Sequence, residues 1–206
     1  MRPRVVQISA ADLLPEAELW ARLAAIARRP AAARALFAVQ LRDPQLPTRE
    51  LEALGARLRQ VTRALGAALV VNDRLDLALA LGADGVHLGR RSVRVEDARA
   101  LLPQAWIAVA CHVVGEVIDA ASAGADAAVL SPIFASPGKG TPLGPAALEA
   151  ARAAAGEGIQ LIALGGVTAE NAATCFAAGA DAVAAIRADL SSVLAPWHNA
   201  TGVAGM

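Results

Sequence analysis

The feature that most constrains the fold of this chain is a regular alternation between short β-rich runs and longer alanine-rich segments. Segments such as Asp12–Arg29, Thr48–Leu65 and Pro145–Ala155 carry apolar residues at helical spacing. Eight strands, each followed by a helix, in 206 residues predict a (β/α)₈ TIM barrel, since open doubly wound sheets usually stop at about five or six strands. The predicted strands are Arg4–Ser9, Leu36–Arg42, Ala68–Asn72, Gly85–Leu88, Trp106–Cys111, Ala127–Ser131, Gln160–Leu164 and Ala182–Ile186.

A single domain is predicted, because no linker or low-complexity tract divides the chain. Residues 1–198 form this domain, and residues 199–206, which are small and polar with glycine, form a flexible tail. Hydrophobic residues make up 56% of the chain but aromatic residues only 3%, so the core is aliphatic. Short side chains of this kind allow helices to pack closely on a sheet.

A three-residue repeat marks three of the predicted helix-to-strand turns. The glycine supplies the left-handed residue that ends a helix, and the aspartate can accept hydrogen bonds from nearby backbone N–H groups. We therefore interpret the aspartates as structural; a buried catalytic carboxylate is the alternative. The repeats are Gly82-Ala83-Asp84, Gly124-Ala125-Asp126 and Gly179-Ala180-Asp181.

Composition excludes several classes of protein. The formal net charge is zero and no basic stripe is present, which argues against nucleic acid as a partner. Glycine and proline interrupt every apolar run before it reaches the roughly 20 residues that cross a bilayer. Cys111 and Cys175 have no disulfide or metal-ligand spacing, and no secretory signal is visible. We expect a cytoplasmic protein that acts on small phosphorylated molecules; the sequence also allows a homo-oligomer.

Polar residues end the second and third predicted strands, where barrel enzymes place their working groups. Alternation puts Gln40 and Arg42 on one face, where either a ligand or an internal salt bridge could satisfy them. Asn72 and Asp73 could bind a hard cation, which prefers oxygen ligands; alternatively, Asp73 caps the helix that follows.

The fourth and fifth strands end in residues with weaker functional signals. His87 is interpreted as a core histidine, and Arg90 and Arg91 as either phosphate ligands or solvated surface. Cys111 and His112 suggest a thiol nucleophile, but neighbours in a strand point to opposite faces, so direct activation of the thiol is disfavoured.

The loop after the sixth strand contains Lys139, the only lysine in the chain. A compact ammonium flanked by glycines suits a phosphate or diphosphate leaving group; an accidental surface lysine is the alternative. Gly165 and Gly166 follow the seventh strand, where barrel enzymes often bind a substrate phosphate through backbone N–H groups.

These motifs, in this order, resemble the thiamin phosphate synthase family, whose superfamily includes thiazole tautomerases of the same fold. The resemblance covers residues from about 36 to 190. It rests on Gln40-Leu41-Arg42, Asn72-Asp73-Arg74-Leu75-Asp76-Leu77-Ala78, Gly82-Ala83-Asp84-Gly85-Val86-His87-Leu88-Gly89, Phe134…Lys139, Ala163-Leu164-Gly165-Gly166 and Gly179-Ala180-Asp181.

The resemblance implies a Mg²⁺-assisted reaction in which a pyrimidinylmethyl diphosphate loses pyrophosphate and a thiazole phosphate nitrogen attacks the cation that remains. It implies that Asp73 binds Mg²⁺ and that Lys139 stabilises the departing pyrophosphate, with Arg42 as a second catalytic cation. The substrate-binding residues that it implies are Gln40, Arg42, Asn72, Cys111, Ser136, Lys139, Gly165, Gly166, Ile186 and Arg187.

Five positions depart from the family pattern. Cys111 stands where the family has a serine, and Ser136-Pro137-Gly138 replaces Thr-x-Thr. The family's second Mg²⁺ aspartate falls at Ser92, a lysine at Pro44 and a serine at Arg187. Because these changes remove charge from the diphosphate site, a thiazole tautomerase and a non-catalytic binder of thiamin phosphate or its precursors remain alternatives. The tautomerase histidine would fall at Pro132, with His112 as its replacement.

Overall fold

The computed structural model describes residues 1–194 and contains a closed barrel of eight parallel strands. Each strand pairs with the next along the chain, and the first pairs with the last, with Val5 opposite Val183. The predicted single-domain (β/α)₈ barrel is confirmed. The strands are β1 (Val5–Ile8), β2 (Phe37–Leu41), β3 (Ala68–Asn72), β4 (Gly85–Leu88), β5 (Trp106–Cys111), β6 (Ala127–Leu130), β7 (Gln160–Leu164) and β8 (Ala182–Ala185).

Helices occupy all seven connections between consecutive strands. They are α1 (Glu16–Ala27), α2 (Ala31–Arg34), α3 (Thr48–Leu65), α4 (Leu75–Leu81), α5 (Val95–Leu101), α6 (Val114–Ser122), α7 (Ala146–Ala155) and α8 (Ala172–Ala177). A 3₁₀ turn at Gly156–Gly158 extends α7.

The main departure from the predicted pattern follows the last strand. Between β8 and residue 194 the chain forms only a 3₁₀ turn at residues 191–194, so the helix expected after the eighth strand is not found in the described part. The predicted tail, 199–206, lies outside the described residues. None of the helices described is both long and apolar enough to cross a membrane.

Alternation along the strands separates two cores. Inward-facing residues such as Ala38, Val70 and Trp106 fill the barrel interior, while outward-facing residues such as Val39 and Leu69 pack under the helices. Most inward-facing positions are alanine or valine, so the barrel interior is narrow and closed below its rim. Gln40, Asn72 and His87 lie inside at the carboxyl ends of their strands, whereas Gln160 lies at the amino end of β7.

The three Gly-Ala-Asp turns form one repeated clamp at the opposite end of the barrel. Each glycine is left-handed, with φ of 56°, 81° and 93° for Gly82, Gly124 and Gly179. Each aspartate accepts a hydrogen bond of 2.8 Å from a backbone N–H of the preceding strand, donated by Leu69, Ile107 and Leu161. Each also pairs with an arginine from the helix before that strand: Asp84 with Arg59, Asp126 with Arg99 and Asp181 with Arg152.

The structural interpretation of the three aspartates is thus supported, and it gives a stability prediction. Replacing Asp181 with alanine removes the acceptor for the Leu161 N–H and leaves Arg152, which is 15% exposed, without its close carboxylate. We expect Asp181→Ala to lower the free energy of unfolding by about 2–3 kcal/mol, measured by urea denaturation.

Glu157→Ala is the matched control, because Glu157 lies 3.7 Å from the same arginine but is 86% exposed. Its loss should change the unfolding free energy by less than about 0.5 kcal/mol. Equal effects of the two substitutions would show that the clamp does not depend on the buried backbone contact.

Candidate active site

A connected group of three polar side chains lies inside the barrel at the ends of β2, β3 and β4. The side-chain amide of Gln40 donates to Oδ1 of Asn72 at 3.1 Å, and its Oε1 lies 3.1 Å from Nδ1 of His87. Because the amide oxygen can only accept, Nδ1 of His87 carries the proton and Nε2 is the basic nitrogen. Nε2 has no protein partner among the described residues.

His87 is buried, and its surroundings keep it uncharged. Desolvation by burial lowers its pKa to about 4, with a further lowering from nearby Arg42 and a partial offset from Asp73. His87 is thus neutral at pH 7, and its burial agrees with the sequence interpretation as a core histidine, although Nε2 has no partner within residues 1–194. Arg42 and Asp73 both lie close enough to act on it, so the structure brings the ends of β2, β3 and β4 into one neighbourhood.

The guanidinium of Arg42 has no carboxylate partner in the described chain, so it is available to bind an anionic ligand. The backbone N–H of Arg42 donates to Oγ of Ser9 at 2.9 Å, while its guanidinium takes part in no salt bridge within residues 1–194. The internal salt bridge considered from the sequence is therefore not formed in the described chain. The guanidinium is only partly exposed, where an anion is held more strongly than in open solvent.

Asp73 adopts a backbone conformation that sets it apart. Its φ of 67° is left-handed, and no other described residue except glycine has a positive φ. The N-cap of α4 is Arg74, and within residues 1–194 no N–H group of α4 donates to the Asp73 carboxylate, so the alternative role as a helix cap is not formed. That carboxylate instead accepts a hydrogen bond from Oγ of Ser92, whose oxygen in turn accepts the Gly89 N–H at 2.6 Å. Backbone strain of this kind is typical of functional sites.

The described residues contain no group of three or more His, Cys, Asp or Glu side chains that could enclose a metal. Asp73 and Ser92 nevertheless place a carboxylate and a hydroxyl oxygen, which are hard metal ligands, next to each other at an exposed position. Mg²⁺ commonly uses one or two carboxylates together with water and substrate phosphate oxygens, and this donor set fits that pattern.

A second site lies at the ends of β7 and β8. Here a half-open cavity of about 140 Å³, which we call the β7–β8 cavity, lies between the ends of β7 and β8, the loops that follow them, and Ser136. Within the described chain, no acceptor is found for the backbone N–H groups of Gly166, Val167, Arg187 and Ala188. Free N–H groups in a concave site favour an anion such as phosphate. The cavity is lined by Ser136, Leu164, Gly165, Gly166, Val167, Thr168, Ala184, Ala185, Ile186, Arg187 and Ala188.

The loop after β6 is fixed against this cavity by backbone hydrogen bonds. Ile133 donates to the Leu164 carbonyl and Phe134 to the Gly165 carbonyl, both at 2.9 Å. This close approach requires glycine at 166, where a Cβ atom would lie 2.5 Å from the Ala135 carbonyl oxygen. The loop therefore reaches over the cavity.

One cation lines the cavity, and a second lies on the loop after β6 that contributes Ser136 to it. Arg187 donates from Nη2 to Oγ of Ser136 at 3.0 Å, so its side chain bridges the loops after β6 and β8. Lys139 lies exposed on the same β6 loop, and its ammonium pairs with no carboxylate in residues 1–194. Arg90 and Arg91 are exposed after β4, on the Asp73 side.

Cys111 does not reach the site, and its assignment as a substrate ligand is corrected here. Its side chain packs in the outer core under the helices, where burial raises its pKa to about 12. Because Trp106 and Ala108 face inward, alternation places Ala110 at the inward-facing end of β5.

His112, which follows β5, is the residue considered as a replacement for the tautomerase histidine. Its Nδ1 lies 2.9 Å from the Ser131 carbonyl oxygen, which places it beside Pro132.

The sequence analysis did not identify Asn171 and Arg22, whose side chains form hydrogen bonds to the backbone of the loops that line the cavity. Asn171 accepts the Thr168 N–H at 2.8 Å and donates to the Gly166 carbonyl at 3.0 Å. The three-residue spacing from Thr168 to Asn171 was the available signal. Arg22, in α1, had none, because it reads as one of many arginines on an amphipathic helix.

The low pKa of His87 predicts a specific acid sensitivity. Below pH 6.5 the unfolded chain binds a proton at His87, whereas the folded chain excludes it down to about pH 4. Stability therefore falls as the pH drops through this window. The loss should reach about 3 kcal/mol and level off below pH 4.

Urea denaturation at pH 7, 6, 5 and 4 tests this, with His87→Gln as the reference that lacks the titrating group. The free energy of unfolding of the wild type should decrease progressively, relative to that of the variant, from pH 6.5 to pH 4. Parallel profiles would contradict the burial of a neutral imidazole.

Comparisons with known proteins agree on one family. The family model described as thiamine monophosphate synthase matches residues 14–188. The thiamine-phosphate synthase of Methanoculleus marisnigri is 45% identical over 164 residues, covering 78% of this chain and 77% of that relative. The enzyme of the same name from Moorella thermoacetica is 43% identical with the same coverage. Both alignments extend over about three quarters of each protein.

A solved structure supports the same relationship. The thiamine phosphate pyrophosphorylase from Pyrococcus furiosus superimposes with a TM-score of 0.76 at 28% identity, covering 93% of this chain and 91% of that one. The residues matched by the family model include both the Gln40 neighbourhood and the β7–β8 cavity.

Proposed function

The chain belongs to the thiamine monophosphate synthase family, and we propose that it joins a pyrimidinylmethyl diphosphate to a thiazole phosphate and releases pyrophosphate. The observation that carries this proposal is the pair of sites at one rim. The first site, at the ends of β2, β3 and β4, combines neutral polar side chains with Arg42 and Asp73. The second, the β7–β8 cavity, offers free backbone N–H groups beside Arg187.

The Gln40, Asn72 and His87 side chains suit a pyrimidine. All three are neutral, and Nε2 of His87 is an unpartnered acceptor in the described structure. A heteroaromatic ring with an amino group can donate to it without bringing an unpaired charge into the barrel. Arg42, beside this group, would contact the diphosphate.

Asp73 is proposed as the Mg²⁺ ligand, with Ser92 holding its carboxylate in place. Mg²⁺, when bound, supplies positive charge to the diphosphate oxygens. Lys139 would then bind the departing pyrophosphate as the C–O bond to the pyrimidinylmethyl carbon breaks and the electron pair leaves with oxygen. The thiazole nitrogen forms the new bond to that carbon.

The β7–β8 cavity is proposed to hold the thiazole phosphate through Gly165, Gly166 and the backbone of Ile186. Arg187 and Ser136 would close over it, since their side chains are already joined by a hydrogen bond of 3.0 Å. A guanidinium at this position adds a positive charge where the family resemblance expects a serine, and this charge would strengthen binding of the phosphate ester in the cavity.

A cytoplasmic location is part of the proposal. Cys111 and Cys175 are both free and buried, and burial raises the pKa of each thiol, to about 12 and about 11. Unpaired cysteines are typical of a reducing compartment, where phosphorylated precursors are also retained.

Steady-state turnover of the two substrates with Mg²⁺ tests the proposed reaction. We expect thiamin phosphate and pyrophosphate in equal amounts, with formation abolished by chelator. Lys139→Ala should lower kcat by about 10²–10³ with a smaller change in KM, because the ammonium acts on charge that develops as the bond breaks.

Absence of product at high enzyme concentration would remove the synthase activity. Conversion of a thiazole tautomer in the presence of chelator would favour the tautomerase instead. An unchanged kcat in Lys139→Ala would show that the lysine does not serve the leaving group. Arg63→Ala, which removes an exposed cation at the C-terminal end of α3, away from the rim, is the control and should keep kcat within about two-fold.

Ser92→Asp tests the metal assignment directly. A second carboxylate beside Asp73 should lower the Mg²⁺ concentration for half-maximal rate by about ten-fold, because Mg²⁺ affinity follows the charge of its ligands. Ser92→Ala, which removes the hydroxyl that donates to the Asp73 carboxylate and accepts the Gly89 N–H, should raise that concentration. The same Mg²⁺ dependence in wild type and Ser92→Asp would place the metal elsewhere.

A further inference from the structure

Helix α1 carries an arginine whose charge is buried behind the loop that follows β8. Arg22 has a side chain only 6% exposed, and its nearest carboxylate, on Glu18, is 52% exposed. From Nη1 the guanidinium donates to the Ile186 and Ala188 carbonyls, both at 2.9 Å, and from Nη2 it also donates to the Arg187 carbonyl. One cation therefore holds three consecutive peptide carbonyls.

The orientation of these peptides follows from their planarity. In a trans peptide the C=O and the N–H point in opposite directions. Since the carbonyls of 186–188 point to Arg22, the N–H groups of Arg187, Ala188 and Asp189 point away from it. None of these N–H groups has a backbone acceptor within residues 1–194, and residues 186–188 line the β7–β8 cavity. The donors are thus turned from the helix layer toward the cavity.

A glutamine on the neighbouring strand completes the arrangement. Gln7 accepts from Nη1 of Arg22 at 3.0 Å, and its Nε2 donates to the Ala185 and Ile186 carbonyls at 3.1 and 2.9 Å. Gln7 is buried, as is Arg22. Burying a guanidinium is costly, and general core packing would favour an apolar residue at this place.

We propose that Arg22 is a positioning residue that fixes the backbone of 186–188 so that its N–H groups bind the phosphate of the thiazole substrate. The inference rests on the proposed function for the identity of the ligand, but the anion site itself does not depend on it. The positive charge behind the loop also polarises the same peptides, which strengthens their N–H groups as donors to an anion.

The experiment compares Arg22→Met with Arg152→Met. Arg152 is a matched control, because it is also largely buried and also donates to backbone carbonyls, those of Gly156, Ile159 and Gly179, but it lies at the other end of the barrel. Both variants should lose thermal stability. Only Arg22→Met should raise the KM for the thiazole phosphate, by about ten-fold or more, with the KM for the pyrimidine diphosphate within about two-fold of wild type.

A binding measurement separates this inference from the proposed function. The Kd of inorganic phosphate, determined by calorimetry with chelator present, should rise about ten-fold in Arg22→Met and stay unchanged in Arg152→Met. If the wild type shows no turnover but the phosphate result holds, the proposed reaction is wrong and the positioning role stands. If Arg22→Met leaves the phosphate Kd unchanged, or shifts the KM of both substrates equally, the positioning role is overturned.

Two milder variants keep the test usable if Arg22→Met does not fold. Arg22→Lys keeps the charge but loses the fork that reaches three carbonyls, so it should give an intermediate phosphate Kd. Gln7→Met removes the donors to Ala185 and Ile186 and the acceptor for Nη1 of Arg22, and it should raise the phosphate Kd by about three-fold. Wild-type phosphate binding in both would overturn the inference.

Discussion

Parallel closure of the eight strands is the constraint on which the rest of the structure depends. Because every strand runs in the same direction, residues as far apart in sequence as Gln40 and Arg187 reach the same rim. Below that rim the interior is filled mainly by small apolar side chains around Trp106, so most of the polar side chains inside the barrel meet at the rim. At the opposite end the aspartate turns tie three of the helix–strand connections to the preceding strand, which stabilises the scaffold without entering the site.

Charge is divided between the two ends of the barrel in a way that suits an anionic substrate. At the lower end arginines are paired with carboxylates, as in Arg59–Asp84 and Arg152–Asp181. At the rim, Arg42, Lys139 and Arg187 have no carboxylate partner in the described chain. Cations without a carboxylate partner at the rim can bind a substrate phosphate and stabilise the negative charge that develops on a leaving group.

The sequence was sufficient for the fold, because the signals that define a barrel are local. Strand bounds such as Ala68–Asn72 and Gly85–Leu88 were predicted to the residue, since apolar runs and glycine turns mark them directly. The neighbourhood of Gln40, Asn72 and Asp73 also followed from strand-end position. The resemblance implied Cys111 as a substrate ligand, but its side chain faces the outer core, because a change of one position along a strand reverses inside and outside. The left-handed φ of Asp73 and the carbonyl contacts of Arg22 depend on tertiary packing and leave no local pattern.

A crystal structure with thiamin phosphate, pyrophosphate and Mg²⁺ tests the central claim, that one rim holds two anions at separate places. The account predicts the phosphate ester in the β7–β8 cavity, within hydrogen-bonding distance of the N–H groups of Gly166 and Arg187. It predicts pyrophosphate between Asp73 and Lys139, with Mg²⁺ bound to the Asp73 carboxylate. Pyrophosphate bound away from both Asp73 and Lys139, or a phosphate ester outside the cavity, would contradict it.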